Sequence, residues 1–544
     1  MTADGLRQSR EAELDRQSRL KNRIACCSVA GCLAGGGDAV RAALAEEVKA
    51  QGASAEIEVC GTGCMGLCSR GPLVRSSAGE ITYAEVKPGD AAAVVRSDLD
   101  SLNGRILRQS DPFFAGQRRL ILANSGKVDP EKIAGYIAQG GYQSLLRATS
   151  EMTPEEIVAE VKKSKLRGRG GAGYPAGLKW ELVARHPSAT KYVICNADEG
   201  DPGAFMNRSV LEGDPHRVLE GMAIAGRAVG AQQGYIYARG ESPLAIERIR
   251  TAIDQAQREG LLGGRVFDSD FHFRIDLRIG AGAYVCGEET ALIASIEGKR
   301  GQPVLRPPYP PESGLWGHPT LINNVETFAN IPQIIENGGD WFAGIGAPAS
   351  PGTKIFAVAG RIRNSGLVEV PIGTSLRTIL FEIGGGVPEG YEFKAAQTGG
   401  PAGGCIPAQY LDVPMDYDSL TGIGTMMGSG GLIVMDTSSC MVDVARFFME
   451  FCMDESCGKC IPCRAGTVQM NEILGRMTSG EGKEADFAML EALSGLLVEA
   501  SLCGLGRAAP NPVLSTLRHF RSEYDAHVRE RRCPAGSCRM GASA

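Results

Sequence analysis

The sequence predicts an α/β multidomain protein, and three observations carry that expectation. At 544 residues the chain is longer than one hydrophobic core serves, which points to roughly three or four domains. Apolar runs with strand character, such as KYVICNAD and QGYIYAR, alternate with helix-period segments such as SPLAIERIRTAIDQAQREGLL, the pattern of a largely parallel sheet. Most of the 17 cysteines fall in short-spaced groups, and 72 glycines make up about 13% of the chain against a usual ~7%.

Taken in order, the first segment, to about Asp100, carries CSVAGC and CMGLC. Between them DAVRAALAEEVKAQG has the period of an amphipathic helix and AEIEVCG reads as a strand, so this is a small α/β unit. LNGRILRQSDPFFAGQ reads as a linker into the alternating α/β region. From Gly338 to Asp418, KIFAVAGRI, GLVEVPIGTSLRTILFEIGG and EFKAAQTGG give short strands around one helix, a small β-rich module. After Gly431 the period turns helical, in CMVDVARFFMEFCMD, AGTVQMNEILGRMTSG and ADFAMLEALSGLLVEASLCGLG. The expected domains are 1–105, 106–335, 336–425 and 426–544.

A net charge of -6 offers no general attraction to nucleic acid. No run approaches 18 apolar residues, so no transmembrane segment is expected, and the opening MTADGLRQSREAELDRQSRLKNR lacks the apolar core of a signal peptide. The expectation is a cytoplasmic protein, whose cysteines serve metals or clusters rather than disulfides.

ESCGKCIPC places Cys457, Cys460 and Cys463 at two-residue gaps, and three thiolates do not close a four-ligand site. A compact triplet plus one distant cysteine is the layout of a [4Fe-4S] site, and Cys503 in SLCGLG supplies the fourth ligand. Structural zinc is the alternative, although it more often uses paired C-x2-C knuckles. Near the C-terminus AHVRERRCPAGSC offers His527, Cys533 and Cys538, with Cys440 or Cys452 as a fourth ligand for Cys3His zinc. The alternative there is a surface histidine beside a free cysteine pair. Cys26, Cys60, Cys195, Cys286 and Cys405 read as packing thiols.

LRGRGGAGYPAGLKW holds five glycines between Gly168 and Gly177, followed by Lys179. Such a loop turns backbone N–H groups toward an anion and the lysine adds charge, but a lone glycine-rich turn is a weak signal. Here it is followed by CNADEGDPGAF, GAGAYVCGEETALIASIEG and TLINNVET. Four polar loops punctuating one α/β region fit a nucleotide-like cofactor held along a sheet edge.

These stretches, with ESCGKCIPCRAGT, resemble the NADH-oxidising flavoprotein subunit of respiratory complex I and its relatives, over residues from about 110 to 530. The relatives include diaphorase subunits of NAD-linked bidirectional nickel–iron hydrogenases, of electron-bifurcating hydrogenases and of NAD-dependent formate dehydrogenases. The resemblance implies a Rossmann-like FMN and NAD(H) domain, a ubiquitin-like β-grasp module and a C-terminal helical bundle holding a [4Fe-4S] cluster. It places FMN near Gly168, Arg169, Gly170, Gly171, Ala172 and Lys179, with Asn196, Asp198 and Glu199, then Tyr284, Gly287, Glu288 and Glu289, then Asn323, Asn324 and Thr327. NAD(H) is implied at Tyr174, Lys179, Glu199, Asp201 and Tyr309; tyrosine stands at two positions that usually hold phenylalanine, and Asp201 replaces a usual glutamate.

Ahead of this, Cys27-x4-Cys32 and Cys64-x3-Cys68 resemble the thioredoxin-like [2Fe-2S] ferredoxin domain fused to hydrogenase diaphorases, with zinc the alternative. The tail resembles that of the bifurcating branch, which favours Cys440 as its fourth ligand. The implied activity is reversible hydride exchange between NAD(H) and FMN, followed by one-electron transfer to iron–sulfur and hydrogenase, or formate dehydrogenase, subunits. No side chain is expected to act as nucleophile, acid or base. Two rival classes are a flavin-free iron–sulfur relay and a zinc-dependent interaction protein, neither of which uses the glycine-acid loops.

Overall fold

The computed structural model describes residues 1–540. It begins with a helix not expected from the sequence, Ala3–Ser18, whose polar surface leaves only Leu6 buried. Its signals are local: Thr2 caps it by accepting from the Gly5 N–H at 3.0 Å, and Arg16 pairs with Glu13 one turn back.

The first sheet has the order β2-β1-β3-β4-β5, from β1 (Asn22–Cys27), β2 (Ile57–Thr62), β3 (Val74–Ser76), β4 (Ile81–Tyr83) and β5 (Ile106–Leu107). Only β1 and β2 are parallel, so their carboxyl ends lie together and bring Cys27, at the end of β1, close to Cys64, just past β2. The expected linker is docked: β5 pairs with β4 two residues past the expected boundary, and Phe113 and Phe114 are buried.

The second sheet is wholly parallel, with the order β8-β7-β6-β9, from β6 (Tyr192–Ala197), β7 (Gln233–Arg239), β8 (Arg274–Gly280) and β9 (Thr320–Asn324). Helices cover it, among them the almost fully buried Pro215–Val229, which explains the unbroken apolar run Val193–Cys195. From β6 the chain steps outward to β7 and β8, then returns to add β9 on the other side of β6. That reversal leaves a crevice at the carboxyl ends of β6 and β9, the usual ligand position in open α/β sheets.

The third sheet runs Gly366–Pro371, Thr353–Gly360, Gly431–Asp436, Phe393–Thr398, Cys405–Pro407. Its central strand, Gly431–Asp436, lies beyond the expected module end at 425. The helical period that follows assigns this strand to the next unit, although it pairs parallel with Thr353–Gly360 across a long crossover. Beyond it, helices Met441–Asp454, Ile461–Ser479, Ala485–Ala500, Asn511–His519 and Arg521–Arg529 close a separate core around Met449, Leu474, Leu490 and Tyr524. Among the described residues no helix is long and apolar enough to cross a membrane.

One buried ion pair fastens the third sheet to the second. Lys354 and Glu326, 0% and 1% exposed, bond directly, and Glu326 also accepts from the Ile355 N–H at 3.0 Å. Removing one partner leaves an uncompensated charge, which costs about 3–5 kcal/mol. Lys354→Met is therefore expected to lower the denaturation midpoint markedly, whereas Lys354→Met with Glu326→Leu recovers most of the loss. A single variant as stable as the parent would show that the pair does not hold the sheets.

Candidate functional site

At the switch point a cleft of about 770 Å³ opens, and backbone forms much of its wall. Gly168, Gly170 and Gly173 line it, and a Cβ on Gly170 would lie 3.1 Å from the Asn324 Cβ, filling space that the bare backbone leaves open. Gly171, at φ +122°, makes the turn between them. Asn196 and Asn324 are register partners on β6 and β9. Asn196 donates to the Gly287 carbonyl at 2.9 Å, and Asn323 accepts from the Trp180 indole at 2.9 Å.

Two helix starts form the lips. Asn324 caps Val325–Asn337 by accepting from the Glu326 N–H at 2.8 Å, and Glu288 caps Glu289–Ile296 by accepting from Thr290 and Ala291. Thr327 accepts from the Arg169 N–H at 2.9 Å, tying the glycine loop to the first of these helices. Lys179 is held by Glu289 and donates to the Ile322 carbonyl at 3.1 Å. Tyr174 and Tyr309, 48% and 51% exposed, stand at the mouth.

Several residues expected here have other surroundings. The Arg169 guanidinium is fully buried and bonds the Pro351, Thr353 and Arg167 carbonyls, so it braces the loop instead of meeting an anion. Glu199 accepts from the Asn207 and Arg208 N–H groups, and Asp201 accepts from the Tyr284 hydroxyl at 2.7 Å and from Ser429 at 2.8 Å. Glu199, Asp201, Asp198 and Tyr284 do not line the cleft; Asp198 lies directly behind its Asn196–Gly287 wall. The cleft instead includes Leu182 and His186, on the helix face of Lys179, and Arg306, Pro310, Pro311 and Glu312. The i+3 and i+7 spacing from Lys179 and the proline-braced run RPPYPPE were the signals for them.

Cys457, Cys460, Cys463 and Cys503 converge on one small pocket with Val285, Pro303 and Leu505. Cys503 faces that pocket while Gly504, the next residue, lines the cleft. The separating loop is pinned from the helical side, since Glu455 accepts from the Tyr284 N–H at 2.9 Å and Phe451 packs edge-on against the Tyr284 ring.

At the N-terminus Cys27 contacts both Cys32 and Cys64, and Cys64 contacts Cys68, so the four thiols form one connected group. In the tail the ligand atoms of Cys440, His527, Cys533 and Cys538 all lie within 4.8 Å of one another. Cys440 Sγ stands 3.4 Å from His527 Nε2, and Cys538 Sγ stands 3.5 Å from both. Tetrahedral zinc with its usual bond lengths gives edges of about 3.6–3.8 Å. His527 Nδ1 donates to the Glu523 carbonyl at 2.7 Å, which leaves Nε2 free to ligate.

Two family profiles match the chain: the Nuo51 FMN-binding domain over residues 161–333 and the NADH-ubiquinone oxidoreductase-F iron-sulfur binding region over 443–527. The chain is 56% identical over 422 residues to the HndC subunit of the NADP-reducing hydrogenase of Solidesulfovibrio fructosivorans, spanning 78% of this chain and 86% of that one. It is 46% identical over 415 residues to the second of the NADH-quinone oxidoreductase-F proteins of Rhizobium meliloti, spanning 76% and 99%. The chain belongs to the NADH-quinone oxidoreductase-F family. An NAD+-reducing [NiFe]-hydrogenase in its H2-reduced state has a chain of similar structure, with a TM-score of 0.68 at 28% identity, covering 97% of this chain and 90% of that one. As a flavoprotein of the oxidoreductase-F family, the protein is an NAD(H) oxidoreductase of diaphorase type with FMN and an iron–sulfur relay.

The cleft suits FMN: a backbone cradle at Gly170 gives close approach, Lys179 and Arg306 offer N–H donors beside their partners Glu289 and Glu288, and aromatic faces flank the mouth. Gly170→Val fills the cradle, so FMN content per chain is expected to fall at least about tenfold while the far-ultraviolet spectrum stays unchanged. Full flavin occupancy in that variant would move the cofactor elsewhere.

Proposed function

We propose that the chain is the diaphorase subunit of an NAD-linked hydrogenase, exchanging electrons between NAD(H) in the cleft and partner iron–sulfur and hydrogenase subunits. The same role in a formate dehydrogenase, an electron-bifurcating hydrogenase or a complex I-like assembly is the second reading, kept because the relatives' names divide between hydrogenase and quinone oxidoreductase. The observation that carries the proposal is the adjacency of Cys503 and Gly504, which puts a cluster pocket and a nucleotide cleft on either side of one peptide bond.

Bound FMN supplies the conversion between two-electron hydride chemistry and one-electron transfer. The protein's part in the hydride step is positional. Gly168, Gly170, Gly171 and Ala172 bring backbone to the cofactor, Lys179 and Glu289 set charge beside it, and Asn196, Asn323, Asn324 and Thr327 fix the rim. Tyr174 and Tyr309 offer stacking faces to the nicotinamide nucleotide. Cys457, Cys460, Cys463 and Cys503 hold the [4Fe-4S] cluster; Cys27, Cys32, Cys64 and Cys68 hold a [2Fe-2S] cluster; and Cys440, His527, Cys533 and Cys538 hold structural zinc. The connected N-terminal thiols and the near-tetrahedral tail support the last two assignments. The sheet orders support a thioredoxin-like first unit and a β-grasp third unit. A cytoplasmic location completes the reading.

Iron, zinc and flavin measured on anaerobically purified protein test the cofactor set. Cys503→Ser is expected to lower iron and abolish electron delivery to the partner, with flavin retained. Unchanged iron would remove Cys503 from the ligand set.

Nucleotide choice follows from charge at the cleft. Asp201 is engaged by Tyr284 and Ser429, so discrimination against a 2′-phosphate falls to the lining acids Glu288, Glu289 and Glu312. Glu289 also neutralises Lys179. Glu289→Gln removes the repulsion and frees the lysine. The NADPH-to-NADH ratio of kcat/KM should therefore rise about tenfold, equivalent to about 1.4 kcal/mol, while Asp201→Asn stays within about twofold of the parent. The reverse order would return the selecting charge to Asp201.

A further inference from the structure

We propose that Asp198 is the proton-carrying group of this site, connecting the cleft to a second cavity that opens to solvent. This rests on the flavin reading of the cleft.

The need is stoichiometric. Oxidation of NADH to NAD+ delivers two electrons to the iron–sulfur clusters and one proton to water, and NAD+ reduction reverses both flows. A nucleotide seated in the cleft would cover its mouth at Tyr174 and Tyr309, and a cluster held at Cys503 would take the electrons on the opposite side. The proton therefore needs a path of its own.

Asp198 is placed to provide one. Its side chain is 1% exposed, and neither carboxylate oxygen has a hydrogen-bond partner. A buried carboxylate that accepts no hydrogen bond is costly, so such a group is held neutral or met by a ligand. On one side it backs the cleft wall: the Asn196 side chain accepts from the Asp198 N–H at 3.1 Å, and a Cβ on Gly287 would lie 3.6 Å from Asp198 Oδ2. On the other side Arg239 Nη1, itself without a hydrogen-bond partner, stands 3.8 Å from Asp198 Oδ1. Arg239 lines a cavity of about 270 Å³ together with Glu199, Arg208 and the exposed Glu241. The Asp198 carboxyl thus lies between the two spaces, with the Asn196–Gly287 wall on the cleft side and Arg239 on the cavity side.

The surroundings suit a group that gains and loses a proton near neutrality. Burial pushes the Asp198 carboxyl up to about 7, Arg239 opposes that rise, and Glu241, Glu455 and Asp201 reinforce it. Tyr237, Tyr284 and Cys286 also face it, their own titrations pushed up chiefly by burial, so they stay neutral in this range. During NADH oxidation the Asp198 carboxylate takes the proton released at the cleft, forming its O–H bond. It then yields that proton to water in the Arg239 cavity, and NAD+ reduction runs the steps backwards.

Asp198→Asn keeps the shape and removes the proton. Rates of NADH-driven reduction, normalised to bound flavin, are expected to fall by about 100-fold, with a larger solvent isotope effect and without an inflection near pH 7. In flavin-free protein, infrared titration should show a protonated-carboxyl band that disappears near that pH and is absent from the variant. A variant within twofold of the parent and with the parental pH profile overturns the proposal, as does an apoprotein lacking the band. Should Asp198→Asn not fold, Arg239→Gln decides the question: loss of the opposing cation moves the band to higher pH, and an unmoved band overturns the proposal. Wild-type protein that takes up no FMN would instead sink the flavin reading and leave the infrared result standing.

Discussion

A single peptide bond joins two compartments. The Cys503 side chain belongs to the four-cysteine pocket and Gly504 to the glycine-walled cleft. For electrons to pass between them the spacing must stay constant, and the structure secures it from both sides. Glu455, two residues before the first cysteine of the triplet, holds the Tyr284 N–H, and Phe451 packs on the Tyr284 ring. The loop carrying Gly287, Glu288 and Glu289 is therefore registered against the helical terminus as well as against β6. Displacing either element would disturb the cleft and the pocket together.

The cleft wall shows why so much glycine is concentrated in so few residues. A cofactor laid along a parallel sheet meets strand ends, where side chains normally project, and Gly170 removes the Cβ that would otherwise sit against Asn324. Polar side chains nearby bond the protein itself. Asn324 and Glu288 cap helices, Asn196 ties β6 to Gly287, and Arg169 braces the third sheet through carbonyls. Each such bond costs the site one ligand contact and gives a rim that does not collapse when empty. Preorganisation of this kind lowers the ordering cost of binding.

The chemistry-bearing residues were legible where the signal is local spacing. The triplet Cys457, Cys460 and Cys463, the glycine run from Gly168 and the paired asparagines stand out because backbone geometry and cluster valence demand those residues at those intervals. Side-chain direction was not legible. Asp198, Glu199 and Asp201 sit within four positions, yet one accepts no hydrogen bond, one binds backbone amides and one binds Tyr284 and Ser429. Nothing in NADEGDPG distinguishes them, because the partners come from a helix start, a distant loop and the turn that precedes the strand Gly431–Asp436. The central strand Gly431–Asp436 was missed for a related reason: its parallel partner lies some seventy residues earlier, beyond any local period.

The N-terminal unit is joined to the rest of the chain through backbone. A Cβ on Gly63 would lie 2.9 Å from the Gly213 Cα, so the cysteine-bearing loop touches the flavin-domain backbone with no side chain between them. On its other flank the Leu367 N–H donates to the Gly66 carbonyl at 2.7 Å, and the Ser69 N–H donates to Ser365. Arg248 adds a buried link, bonding both the Glu212 carbonyl and the Ser28 hydroxyl. A carrier domain that swings between donor and acceptor needs a small, polar and readily exchanged interface. This one is backbone-to-backbone on two faces, and Cys64 and Cys68 lie within it. Lifting the loop away would break these backbone hydrogen bonds and the close packing that its glycines allow. The N-terminal thiols therefore hold a fixed geometry relative to the flavin-binding region, set by backbone contacts on two faces of the loop that carries Cys64 and Cys68.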